Sequence, residues 1–442
     1  MKLKTIKVSG YKNIYNIALE MTSLLSIVAV NNFGKSNVLE AIGFGFLFLN
    51  ASDKTRYSLM RNIDNIPLNP QLENDNFSFE LEFEAEGDSQ YKYVNYGFEF
   101  SWSKDDESGN KIEKEWLAMR ESPSVRYTRV LRRNTDTTEY KPDKTSASFK
   151  KLKLNVNQLA INVLSMLEGV KYDAVIKDIL GFEYYVCSTL DLNTRFDSVP
   201  LDFILPGLNK KTDGFDDDDV SREVYMLKKS YPEHYDKFKE AILTLFPEFE
   251  NIEVNTMAVA GEEREKLEMF TKSVTGSHDM KVPFRIKDEV YRVMIKSAYI
   301  NQYVDLSMMS KGTKRIFWLL ANAFVAKIRS IGIIGIEELE TSIHPRMMKE
   351  LLEILNETLD YTSVLITSHS PYLIQYLKPE NIYVGVPSAE GAASFRKLKN
   401  KKIKKMLKEA DNLGMSSGEY LFNLMAGEST EHTILKEILE DD

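Results

Sequence analysis

Residues Leu24–Val30, LLSIVAV, form a short apolar run rich in Ile and Val. Its length suits a strand, and its lack of alternation suits a strand covered on both faces. The turn Asn31–Ser36, NNFGKS, follows at once, and Asn37–Leu49 then runs on without a proline. That stretch is apolar nearly all round, which predicts a deeply buried helix. Gly43 and Gly45 weaken it locally and permit close packing. A strand buried on both faces has to sit inside a sheet with helices on both sides.

The rest of the chain divides by period. FSFELEFEAE and YKYVNYGFEFSW, within 77–103, alternate apolar or aromatic with polar residues, which predicts a half-buried antiparallel pair. EWLAMRES and VRYTRVLRR add further strands over 112–140. From about 150 to 250 the spacing turns helical, with Pro232 placed to start one helix and Pro247 to end another. Residues 283–306 return to strand character. A second buried block then alternates: helix Thr313–Ile328, strand Ile331–Ile336, helix Pro345–Leu359 and strand Val364–Thr367, followed by Pro371–Leu377. Alternation of this kind predicts an α/β fold with a mostly parallel sheet. The expected division is 1–150, the N-terminal part of that unit with an antiparallel β subdomain; 151–282, a mainly helical insertion; 283–390, the C-terminal part; and 391–442, a basic helical tail. There is no long heptad segment, hence no long coiled coil, and no internal repeat.

Composition narrows the function. The 442 residues carry 57 Lys+Arg against 66 Asp+Glu, a net charge of -9, which argues against a dedicated nucleic-acid coat protein and leaves room for a local basic face. The single cysteine, Cys187, forms no internal disulfide and excludes a Cys-rich zinc or iron–sulfur site. Five scattered histidines argue against a His-based metal centre. The longest apolar stretches, Leu24–Val30 and Ala41–Leu49, fall far short of the ~20 residues that span a bilayer. The N-terminus lacks the apolar core of a secretory signal, so the expected location is cytoplasmic, with no membrane contact.

Four motifs carry chemistry. In AVNNFGKS the Gly-Lys-Ser end of the phosphate-loop pattern is intact between a strand and a helix, with Ala29 at the position of the first glycine. The turn and helix N-terminus would present backbone N–H groups to phosphates, Lys35 would face the β/γ-phosphates, and Ser36 would bind Mg²⁺. In IGIIGIEELETSIHP an apolar strand ends in Glu337 and Glu338, where a phosphate-loop enzyme places a magnesium carboxylate and a water-activating carboxylate. LSMMSKGTKR opens a helix whose N-terminus, with Ser310, Gly312 and Thr313, reads either as a phosphate cradle or as an ordinary serine cap. SVLITSHSP ends a buried strand beside His369, which reads as a γ-phosphate sensor or as a structural histidine. The acidic run Asp216–Asp219 reads as a solvated loop. The run Arg396–Lys408 reads as a contact for nucleic acid or an acidic partner, or as a solvated lysine-rich helix.

NNFGKSN, LSMMSKGTKR, IEELETSIHP and ITSHSP, in this order, resemble the ABC-type ATPase head of the SMC, RecF and OLD proteins. The Ser-x-Gly-Thr signature and the glutamate-x-x-x-His-Pro element are closest to the OLD-like branch. Within it the chain is similar to the stand-alone ATPases of phage-defence operons (RloA/AbiL type), and more distantly to AriA of the PARIS system. The motifs cover 1–50 and 283–380 well, and the middle only in general layout. The resemblance implies a homodimer or a higher multiple of dimers that sandwiches ATP and Mg²⁺. Asn31, Gly34, Lys35, Ser36 and Asn37 would be the phosphate loop. Ser310, Gly312 and Thr313 would be a signature loop reaching the partner's nucleotide. Glu337 would be the metal carboxylate, Glu338 the catalytic glutamate and His369 the switch, with Glu340 and His344 on the adjoining dimer loop. Ala29 and Asn32 stand where the family usually has glycine, and Glu337 where it has aspartate, which puts fast hydrolysis in question. OLD nucleases carry a Toprim domain after the head. Only about fifty residues follow position 390, too few for another ordinary domain, so a Toprim-like nuclease is expected on a separate effector chain. The implied function is an anti-phage ATPase that senses infection, through a phage trigger protein, and holds or activates that effector. The alternative is a RecF/SMC-like DNA-repair ATPase that binds DNA. A transporter subunit is disfavoured, because Ser-Lys-Gly-Thr replaces the transporter Ser-Gly-Gly-Gln. A scaffold that binds nucleotide without turnover is the remaining reading.

Overall fold

The computed structural model describes residues 1–61, 66–85, 91–104, 108–187, 201–203, 219–259, 261, 265–266, 269, 284–286, 288–359, 361–386, 391–427 and 429–440. In chain order the elements begin with β1 (Lys2–Tyr11), β2 (Ile14–Glu20), β3 (Leu24–Val28), α1 (Lys35–Asn50), α2 (Asp53–Met60), β4 (Phe77–Glu84), β5 (Tyr93–Ser101), β6 (Lys111–Arg120), β7 (Thr128–Arg133), β8 (Thr138–Tyr140) and β9 (Lys150–Leu152). Next come α3 (Ala160–Leu164), α4 (Asp173–Leu180), β10 (Tyr184–Cys187), β11 (Leu201–Phe203), α5 (Val220–Ser230), α6 (Pro232–Leu245), β12 (Phe249–Ala258), β13 (Phe284–Ile286), β14 (Glu289–Ser297) and β15 (Val304–Asp305). The chain closes with α7 (Lys311–Ile328), β16 (Ile333–Glu337), α8 (Pro345–Thr358), β17 (Ser363–Ser368), α9 (Pro371–Ile374), β18 (Ile382–Val386), β19 (Ala393–Lys397), α10 (Asn400–Asn412), α11 (Ser417–Ala426) and α12 (Ser429–Ile438). No helix among the described residues is long and apolar enough to cross a membrane.

Two compact units result, one of Met1–Ser188, Ser330–Leu339 and Asp360–Asp442, the other of Thr189–Arg329 and Glu340–Leu359. The first is built on a 14-stranded sheet in the order β10-β16-β17-β3-β18-β19-β2-β1-β4-β5-β6-β7-β8-β9. From β10 to β18 the strands are parallel, and from β2 to β9 they are antiparallel. The parallel strands are mostly apolar because both faces are covered, with Ser26, Ser363, Thr367 and Ser368 buried among them, and β17 and β18 are buried at every position. β4 alternates, burying Phe77, Phe79, Leu81 and Phe83.

Helix α1 packs onto that alternating face through its aromatic rings. Phe48 stacks on Phe100 at 4.6 Å, while Phe44 meets Phe77 edge-on at 5.0 Å and Phe46 meets Phe79 at 5.2 Å. Gly45 makes this possible, since a Cβ there would lie 2.4 Å from the Phe79 ring. The end of α1 is closed by the buried Arg56, which donates to the carbonyls of Phe48 at 2.9 Å and Leu49 at 3.0 Å. Glu115 is also buried; it accepts from the backbone of Ala160 at 2.6 Å and Ile161 at 2.9 Å and from the Tyr96 hydroxyl at 3.2 Å. Burial raises the Glu115 pKa, and those three hydrogen bonds and Arg133 oppose the rise.

In the second unit β12, β14 and β15 form an antiparallel sheet. Helix α7 is buried continuously from Thr313 to Ala326, as the run Ile316–Ala326, apolar but for Asn322, requires, and Lys314 and Arg315 are buried with it. Phe238 of α6 meets Phe317 at 5.9 Å and Phe324 at 6.0 Å, both edge-on. Asp219 caps α5 by accepting from the backbone N–H of Arg222 at 3.0 Å; the rest of the acidic run, Asp216–Asp218, lies outside the described residues.

The compact units differ from the expected division in three places. Residues 283–329 and 340–359, expected in the C-terminal part of the head, fall in the second unit with the insertion. Residues 151–187, expected in the insertion, belong to the first unit, because β10 pairs in parallel with β16. Residues 391–442, expected as a helical tail, begin with a strand, β19, that pairs with β18 and β2. Both strands are short, and the pairings of β10 with β16 and of β19 with β2 are long-range, so local spacing does not show them.

Candidate nucleotide site

In the first unit the phosphate loop connects β3 to α1. Gly34 is the N-cap of α1 with φ 110°, and no side chain caps this 16-residue helix. The helix N-terminus therefore presents N–H groups and the positive end of its dipole, as an anion site does. Gly34 has no substitute: a Cβ would be strained at that φ and would lie 2.7 Å from Asn13 Oδ1. Asn32 takes the left-handed conformation at φ 60°. Asparagine tolerates it better than most residues, so its presence where glycine is usual costs little. Ala29 is accommodated because Gly385 of β18 faces it; a Cβ on Gly385 would come 2.6 Å from that of Ala29.

Lys35 is 7% exposed, and its ammonium donates to the carbonyls of Ala29 at 3.0 Å and Val30 at 3.1 Å. Ser36 donates its hydroxyl hydrogen bond to Glu337, at the end of β16. Register explains the meeting: Glu337 aligns with Thr367 of β17, and Thr367 aligns with Ile27 of β3. Three parallel strands thus end at one edge, where ligand sites of open α/β sheets lie. Glu338 follows with φ 45°, an unusual value for a side chain of its size, and its backbone N–H donates to Thr367 Oγ1 at 3.3 Å. Its carboxylate lies 3.6 Å from His369 Nδ1, and both side chains are more than a third exposed.

Lys35, Ser36, Glu337, Glu338 and His369 are therefore brought together in the first unit. Asn37 joins them through a residue that sequence reasoning missed. Asn13, in the β1–β2 turn, accepts from Asn37 Nδ2 at 2.8 Å and donates to the carbonyls of Phe33 and Gly391, both at 3.3 Å. No motif marks Asn13, since its role depends on three segments distant in sequence. Tyr184 of β10 is a second such residue: burial, then the Glu337 charge, pushes its phenol well above the ordinary range, and it donates to Leu39 O at 2.9 Å. Asn31 is exposed on the turn.

Ser310, Gly312 and Thr313 lie in the second unit with Glu340 and His344. Ser310 is the N-cap of α7, accepting from Thr313 N–H at 3.1 Å, with the two hydroxyls 2.9 Å apart. Gly312 sits against the loop after Glu340: a Cβ there would lie 2.4 Å from the Ser342 carbonyl oxygen. His344 is the N-cap of α8, accepting from Arg346 N–H at 3.3 Å.

No curated protein sequence matches the chain. Among solved structures the chain is similar to an SMC head bound to the C-winged helix domain of ScpA, at 12% identity, covering 92% of this chain and 100% of that one with a TM-score of 0.48. It is also similar to the SMC head domain from Thermotoga maritima, at 12% identity, 90% and 100% coverage and a TM-score of 0.42. The recombination mediator RecF matches at 14% identity, 89% and 97% coverage and a TM-score of 0.39. The family model described as "AAA domain, putative AbiEii toxin, Type IV TA system" matches residues 30–375, from the phosphate loop past His369. The match takes in more than half of the chain, which therefore belongs to this AAA-domain family, and membership supports an ATPase.

Proposed function

We propose that the chain is a regulatory ATPase of anti-phage defence, in which ATP closes a homodimer and the closed dimer holds or releases a separate effector, a Toprim-like nuclease. The observation that carries the ATPase half is the convergence of Lys35, Ser36, Glu337, Glu338 and His369 at one sheet edge. The defence half rests on the four OLD-like motifs and on a family description that names a toxin–antitoxin system.

The residues fit Mg·ATP. Among the described residues no group of three or more His, Cys, Asp or Glu could hold a metal. Mg²⁺ needs no such group: one hydroxyl and one carboxylate suffice when phosphates and water complete the octahedron. The Ser36–Glu337 pair is that set. Bound there, the ion would neutralise charge on the β- and γ-phosphates. Lys35 would exchange its two carbonyl contacts for phosphate oxygens. Glu338 would accept a proton from the attacking water, and His369, beside it, would contact the γ-phosphate. Ser310, Gly312 and Thr313 would reach the nucleotide of a partner subunit.

That last role makes a separable prediction. Gly312→Ala forces α7 away from Ser342 without touching the phosphate loop. Turnover is expected to fall about 100-fold, the cost of an ångström-scale misplacement, while ATP affinity of the isolated subunit stays the same. A parallel loss of affinity would show that Gly312 acts on its own subunit's site.

The defence role is tested by recovering the Glu338→Gln form from its host with ATP, with and without nuclease treatment. One stoichiometric small protein, retained after nuclease, is the expected result. Recovery of repair proteins only through DNA would replace this reading with the RecF-like one. A strict monomer that binds no nucleotide would end both.

A further inference from the structure

Helix α10 carries five lysines and no acidic residue between Lys401 and Lys408, in a chain whose net charge is -9. Successive residues turn by about 100°, which puts Lys401, Lys404, Lys405 and Lys408 within one stripe about 100° wide and about 10 Å long. All four are exposed, whereas Met406 and Ala410 on the opposite side are buried. Lys405 lies 3.6 Å from Glu409; among the described residues Lys401, Lys404 and Lys408 have no ion-pair partner.

The helix is also held in place at both ends. Lys399 N–H donates to Ile438 O at 2.8 Å, and Glu440 N–H donates to Lys397 O at 2.8 Å. At the other end the Tyr420 hydroxyl donates to Glu409 at 2.9 Å. The lysines therefore project from a fixed rail and not from a loose tail, so little backbone order is lost on binding.

We propose that this stripe is a binding surface for the phosphate backbone of double-stranded nucleic acid. The inference is independent of the nucleotide site. The composition selects the partner. Protein interfaces favour arginine and disfavour lysine, and carboxylates are best met by the arginine fork. A row of lysine point charges with no aromatic anchor suits an evenly charged polyanion read without sequence preference. A membrane surface is disfavoured because Met406 and Ala410, on the side of α10 away from the lysines, are buried in the fold, which leaves Leu407 as the exposed large apolar side chain of the helix.

The test uses the full-length protein without nucleotide and a fluorescent 20-base-pair DNA of arbitrary sequence, read by anisotropy from 50 to 200 mM salt. Four phosphate contacts predict a slope of log affinity against log salt near -3.6, or roughly a 150-fold loss across that range. The variant Lys401→Glu/Lys404→Glu/Lys408→Glu should bring the slope to about -1 or abolish binding. Replacing the same three residues by arginine should retain binding, which separates a charge effect from misfolding. Failure of the wild-type protein to bind at 50 mM salt overturns the proposal. So does binding that the charge reversal leaves intact, and so does capture of anionic vesicles or an acidic protein by this helix in place of DNA.

Discussion

Lys35→Ala is expected to lower ATP affinity roughly 100-fold and to abolish turnover at ordinary ATP concentrations. Hydrogen bonds to charged groups contribute about 1.5–3 kcal/mol each. Lys35 already makes two good contacts in the free loop, at 3.0 and 3.1 Å, so only the difference between carbonyl and phosphate partners counts. Two exchanged bonds at about 1.5 kcal/mol each give about 3 kcal/mol, which is near 100-fold. Arginine should not restore it, because the pocket around this 7%-exposed side chain shapes a point charge and not a planar fork. Titration calorimetry with ATP measures the loss, and thermal unfolding of the same variant reports whether the loop itself has collapsed. Unchanged affinity in a folded variant would mean that phosphate binds away from the α1 N-terminus.

Glu338→Gln should behave in the opposite way, keeping ATP and losing hydrolysis. Removal of a positioned general base costs typically 10²–10⁴-fold. Glu338 is the better candidate than Glu337 on geometry. Glu337 is already engaged by Ser36, which suits a metal ligand, whereas Glu338 projects beside His369 at 3.6 Å from a strained backbone. Such strain persists where the surrounding structure imposes it and is common at working sites. Single-turnover phosphate release, with ATP affinity measured alongside, tests the assignment. Equal loss of binding and turnover would place Glu338 in the metal site, and retained turnover would move the base elsewhere.

Much of the framework is legible in the residues. LLSIVAV followed by a glycine turn yields β3 and α1 within two residues of their expected ends. The alternation of FSFELEFE yields β4 with every second residue inside. These succeed because period and side-chain shape act locally, on a backbone with few allowed states. The strands β10 and β19 and the clamp Asn13 are not legible. Their four or five residues, or single side chain, acquire meaning from partners outside any local window, such as Ile333 opposite Tyr184, Ile14 opposite Ala393 and Phe33 against Asn13.

By itself, then, the order of residues determined which segments would be strand, turn or helix, which faces would be buried, and which side chains could carry phosphate chemistry. Tertiary structure alone decided that Ser36 and Glu337 would meet, that Asn13 would hold the phosphate loop, and that α10 would be a rigid rail of exposed lysines. The physical reason is the same in each case. Backbone preference is written within a few residues, but register and packing are set by pairings and contacts between segments beyond that range, 301 positions apart for Ser36 and Glu337, whose geometry no local pattern contains.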